Sequence, residues 1–148
     1  MQKLYPTFDV PALVTKQAPS PKVQYGRAPH FDFAAGDFAL DGAGRVPIAD
    51  GYTAWAQWCL KTIQTERFSA LVYSRRYGVE LDRALRHIPR EVIQSEVARA
   101  ITEALLTDRR TKSVQDFTFT WSGDELAVSF TAVPTVGTAQ QLGVSISG

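Results

Sequence analysis

Arginine is the reactive side chain that this sequence concentrates. Arg67, Arg75, Arg76, Arg83, Arg86 and Arg90 fall in one short region, and Arg109, Arg110 and Lys112 form a second group. Together with Tyr73 and Tyr77 they could hold nucleic acid through phosphate contacts and base stacking. The acids Glu66, Glu80, Asp82, Glu91 and Asp108 are interleaved with them, however. Mixed charge suits ion pairs within a fold or across a protein interface. A planar guanidinium fork binds a carboxylate through paired hydrogen bonds, which suits assembly. These residues therefore read as protein-facing, with a nucleic-acid-binding adaptor as one rival.

Catalytic patterns are weak by comparison. His30 is followed by Phe31-Asp32, but nothing else completes a general-base site around them. His87 sits near the end of a short helical pattern, where a cation complements the helix dipole. Cys59 lies on an apolar stripe, and buried thiols with apolar neighbours are unreactive. As the single cysteine it excludes an intramolecular disulfide and a thiolate metal cage. Gly42-Ala43-Gly44 is too short for a phosphate-binding loop and runs into Arg45-Val46-Pro47, so it reads as a turn. Glu66, Glu80, Asp82, Glu91 and Glu96 could in principle supply two carboxylates for glycoside hydrolysis. Nothing in their spacing marks an acid opposite a nucleophile. No catalytic residue, cofactor or metal site is expected.

The elements that must position these residues are legible from periodicity. Tyr52, Trp55, Ala56, Cys59, Leu60 and Ile63 form one helical stripe, with Asp50 as its expected N-cap. Trp58 falls beside the stripe and is a candidate partner contact. Phe68–Tyr73 is expected to be a short strand or extended run. Leu81, Ala84, Leu85 and Ile88 predict a short helix stopped by Pro89, which also suits the first turn of the next helix. There Ile93, Val97, Ala100, Ile101, Ala104 and Leu105 form a second stripe. Phe31–Ile48 reads as a β-hairpin with turn chemistry at Asp41-Gly42 and Gly44. The last third reads as a β-meander: Phe117, Phe119 and Trp121; then Leu126, Val128, Phe130 and Ala132; then Leu142, Val144 and Ile146. The final strand, polar on one face, suits a sheet edge or a donated strand.

These elements predict an α+β fold. Two main amphipathic helices plus a short helix pack on a small, mostly antiparallel sheet. Residues 1–29 hold five prolines and predict an extended N-terminal arm; residues 30–148 form a single domain. The 148 residues are 45% hydrophobic and 21% charged with a formal net charge of +1, so no global field draws in DNA or an anionic membrane. No apolar stretch reaches signal-peptide or membrane-span length. The chain is expected to be made in the cytoplasm and to stay soluble or join a soluble assembly.

Two stretches together carry a family resemblance. One is Gln64-Thr65-Glu66-Arg67-Phe68, followed by Tyr73-Ser74-Arg75-Arg76-Tyr77-Gly78-Val79-Glu80-Leu81. The other runs from Ala98-Arg99-Ala100-Ile101 to Leu106-Thr107-Asp108-Arg109-Arg110, then Val114 and the meander. The pattern resembles the phage tail family of PBSX-type prophages and, more distantly, the T4-type baseplate wedge family that carries the misleading label "lysozyme-like". It covers roughly residues 31–137.

The resemblance implies a structural subunit of a contractile tail or related injection particle. Such a subunit sits in the virion tail baseplate beside the tube and joins other wedge proteins to the first layer of sheath. It is present in several copies, is assembled in the host bacterial cytoplasm, and takes no nucleic acid, membrane or small-molecule substrate. The wedge family often has a Glu-Pro-Arg contact motif after the long helix. Asp108-Arg109-Arg110 stands at that position, with the acid shortened and the proline missing. The expected interface residues are Glu66, Arg67, Arg75, Arg76, Tyr77, Asp108, Arg109, Arg110 and Trp58. Glu66 and Arg67 could pair internally, across an interface, or both. The second rival is a tail-associated cell-wall hydrolase.

Overall fold

The computed structural model describes residues 25–81 and 89–147. The first helical stripe becomes α1 (Gly51–Gln64) and the second becomes α2 (Arg90–Leu106). In α2 all six stripe residues, Ile93, Val97, Ala100, Ile101, Ala104 and Leu105, are buried. The α1 stripe is rotated from the expected one. Ala54, Trp55, Cys59, Thr62 and Ile63 are buried, whereas Tyr52, Ala56 and Leu60 are only partly covered. Thr62 tolerates burial because its hydroxyl donates to the Trp58 carbonyl at 2.7 Å, one turn back.

Both helix starts differ in detail from expectation. Asp50 occupies the N-cap of α1, but its side chain makes no capping hydrogen bond. Its backbone carbonyl accepts from Thr53 and Ala54 instead. Pro89 is the N-cap of α2, one residue before the expected first turn, and accepts from Val92 and Ile93 through its carbonyl. Of the short helix expected before Pro89, residues 82–88 lie outside the described residues.

The meander forms as expected. β5 (Thr111–Ser122), β6 (Glu125–Pro134) and β7 (Gln140–Ser147) make an antiparallel sheet in the order β5-β6-β7. β5 starts earlier than its aromatic alternation suggests. A register shift between Gln115 and Thr118, with Asp116 at φ 57°, lets the strand continue across the irregularity. Leu126, Val128, Phe130 and Ala132 of β6 are buried and join Leu142 and Ile146 of β7 in the core. The helices supply its other half, centred on Trp55, Cys59, Ile63, Val97, Ile101 and Leu105. Arg90 fastens the start of α2 to the β5–β6 turn. Its guanidinium lies 4.6 Å from the Trp121 ring centre and donates to the Gly123 carbonyl.

The N-terminal hairpin is two nested pairs and not one ladder. β2 (Phe31–Asp32) pairs with β3 (Asp37–Phe38), and outside them β1 (Ala28–Pro29) pairs with β4 (Ile48–Ala49). The expected turn at residues 41–44 is present. The Asp41 carboxylate accepts the Ala43 and Arg45 amides, which holds its pKa below the usual carboxylate value. Tyr25 packs against the core, and its hydroxyl donates to the Val136 carbonyl at 2.8 Å. The fold is α+β.

Candidate functional site

The two halves of the first motif meet in space. Thr65 ends α1, its hydroxyl donating to the Lys61 carbonyl at 2.6 Å. Glu66 then forms a parallel bridge with Val79. The Arg67 amide donates to the Val79 carbonyl, and the Val79 amide to the Thr65 carbonyl, both at 3.0 Å. Gly78 makes this approach possible. It sits at φ +93°, and a Cβ there would lie 2.7 Å from the Thr65 carbonyl oxygen. The Arg67 guanidinium closes the clasp, donating to the Gly78 carbonyl through Nε and Nη2 and to Glu80 at 3.4 Å. Arg67 therefore pairs within the chain.

The strand expected over Phe68–Tyr73 does not form. The clasp gathers residues 68–76 into a loop of successive turns, with Phe68 at φ 66°. Among the described residues no strand lies beside that apolar run to receive its backbone groups, so alternation alone cannot make it a strand. Phe68, Leu71 and Val72 are exposed on the loop, as are Arg75 and Arg76.

A row of rings connects this loop to the second motif. Tyr73 and Tyr77 lie 4.7 Å apart between ring centres, and Tyr77 meets Trp58 edge-on at 6.3 Å. On the far side of Trp58 the Arg110 guanidinium stands 5.6 Å from the ring centre. Trp58 is thus half-buried, in contact with Tyr77 and Arg110.

Arg110 is also held internally. Its Nε lies 3.0 Å from both Asp108 carboxylate oxygens, and its amide donates to Oδ1 at 2.8 Å. Both side chains are only 15% exposed. The turn is pinned on either side. Thr111 accepts from the Trp55 indole at 3.0 Å, and the Arg110 carbonyl accepts from the Thr135 amide. Behind it lies Cys59, whose thiol is pushed up to about 12 by burial first and by the Asp108 charge second. Arg109, the central residue of the turn, is exposed.

The nine sequence candidates therefore divide. Arg67, Asp108, Arg110 and Trp58 shape the surface from within, and Tyr77 links Trp58 to the loop. Arg75, Arg76 and Arg109 stand on it. Glu66 is exposed at the mouth of the clasp. Sequence reasoning missed Phe68, Leu71 and Val72 as surface residues, because it assigned them to a strand. Among the described residues no three His, Cys, Asp or Glu side chains could hold a metal, and no helix is long and apolar enough to cross a membrane.

Comparison with known proteins matches residues 27–137 to a family of contractile injection system sheath initiators. A phage-like element PBSX protein of Bacillus subtilis (strain 168), XkdS, is 35% identical over 101 residues, covering 66% of this chain and 72% of that protein. The matched span holds the clasp, the ring seam and the Asp108–Arg110 turn.

Proposed function

The chain belongs to the contractile injection system sheath initiator family, and on that footing we propose that it is a structural wedge component of a tail baseplate. In this reading it binds other wedge proteins, is present in several copies, and joins baseplate and tube to the first layer of sheath. It is assembled in the host cytoplasm and works by docking, without catalysis, nucleic acid or a small-molecule substrate.

The observation that carries this reading is the family match over residues 27–137, the span that contains both recognised motifs. Physical features support it. A clasp made of backbone bonds presents exposed Leu71, Val72, Arg75 and Arg76, and aliphatic side chains beside arginines suit a protein contact. The meander sheet ends in β5 on one side and β7 on the other, and such edges can take up a neighbour's strand. Glu80 meets Arg67 in the clasp, and Asp108 meets Arg110 in the turn after α2, so both acids serve structure.

The test is co-assembly. The purified chain, mixed with the sheath and baseplate proteins of its own particle, is expected to co-purify with both and to shorten the lag of sheath polymerisation. Failure to bind either one, or hydrolysis of cell wall by the chain alone, would overturn the reading.

A further inference from the structure

A groove of about 830 Å³ lies between the N-terminal hairpin, α1 and the clasped loop. Its hairpin wall carries Phe31, Phe33 and Phe38, with Phe31 edge-on to both others at 5.0 and 5.3 Å. The opposite wall carries Trp58, Tyr73 and Tyr77. Gln57 ties the hairpin to the α1 floor: its Oε1 accepts the Phe31 amide at 2.9 Å, and its Nε2 donates to the Pro29 carbonyl. The hairpin wall is therefore fixed on the α1 floor, which lowers the ordering cost of binding.

Two features say what the groove would hold. Among the described residues Lys61 is the one charged residue of its lining, and its ammonium stands 5.1 Å over Tyr73 and 6.0 Å over Tyr77. Among the described residues it forms no ion pair. The Tyr77 hydroxyl is buried and has no hydrogen-bond partner among the described residues, and a buried phenol ordinarily finds one. A bound main-chain carbonyl would satisfy it if the ring turned its hydroxyl to the groove on binding.

We propose that this groove docks an extended peptide segment of a partner tail protein, one that inserts a large apolar side chain between the two aromatic walls and sets a carboxylate against Lys61. The charge complementarity is one-sided, because the described lining of the groove has a cation and no acid. Rings on both walls suit a flat or branched apolar anchor. The proposal rests on the sheath initiator reading only for the source of the segment.

The test uses an array of overlapping peptides, about five turns of extended chain each, that tile the sheath, tube and baseplate proteins of the same particle. Peptides of residues 1–24 of this chain are included. Full-length chain is the probe, and whole-tail assembly is scored in parallel. Binding is expected to concentrate on segments that place an acid within a few residues of an aromatic or branched aliphatic one. Lys61→Glu and Phe38→Ser, both at exposed positions, should each weaken it at least tenfold. Tyr77→Phe should weaken it several-fold while leaving thermal stability equal or higher. Three results would overturn the proposal: signal only on basic peptides or on residues 1–24, signal indifferent to all three variants, or no signal. If assembly still proceeds in those cases, the groove is wrong and the initiator reading stands.

Discussion

The two faces of this protein dispose of their apolar residues in opposite ways. On the meander side every inward residue of β6 from Leu126 to Ala132 is buried against the helices, and the layer is held by packing. On the clasp side Phe68, Leu71 and Val72 face outward, and the loop that carries them is held by the two backbone hydrogen bonds of the Glu66–Val79 bridge, Gly78 and one guanidinium. The first arrangement makes the domain stable. The second spends stabilising interactions on displaying a surface that gains nothing alone, as the proposed docking role requires. The arginines follow the same division. Arg67 and Arg110 lie inside and shape the face, while Arg75, Arg76 and Arg109 remain on it.

Substitutions can separate the two faces, starting with the largest effect. Phe130→Ala removes a ring only 1% exposed and leaves a cavity in the core. It should cost about 3–5 kcal/mol and lower the unfolding midpoint of the whole domain, read by urea denaturation. A smaller loss confined to one region would break the view that the meander is the stabilising half. Gly78→Ala should act on the other face. A Cβ at φ +93°, 2.7 Å from the Thr65 carbonyl oxygen, forces the clasp apart. The cost should be about 1–3 kcal/mol, with new proteolytic cleavage within residues 68–76. Cleavage there without loss of the core would sharpen the division.

The smallest effect concerns Cys59, at the seam between the faces. Its native thiol titrates at about 12 against 9.0 for an ordinary one, so the native state holds a proton that the unfolded chain gives up. Stability from this source is complete below pH 9 and is lost as pH rises from there towards 12. The stability advantage of wild type over Cys59→Ala should be level up to pH 9 and shrink above it. An advantage unchanged at pH 10.5 would place the thiol in a more polar setting than the core.

Much of this was legible in the residues. The α2 stripe and the meander follow from periodicities that burial enforces, and the turn at Asp41–Gly44 follows from local chemistry. The resemblance to prophage tail proteins pointed to the family that the chain matches. Two features depend on contacts distant in sequence. Phe68–Tyr73 has strand-like composition but no neighbouring strand among the described residues. Trp58 lies beside its helical stripe yet is covered by Tyr77 and Arg110, which come from 19 and 52 residues later. Asp50 stands where a cap belongs, and only its backbone is used. The interface roles of the exposed arginines rest on chemistry and await a partner.

The most direct measurement joins stability and assembly in one surface variant. Leu71→Ser, Val72→Ser, Arg75→Glu and Arg76→Glu together alter only exposed side chains of the loop. Unfolding free energy should stay within about 0.5 kcal/mol per site of wild type. Co-purification with sheath and baseplate proteins should fall at least tenfold, and sheath polymerisation should lose its shortened lag. A variant that folds normally and still starts sheath growth would contradict the claim that the clasped loop is a docking surface.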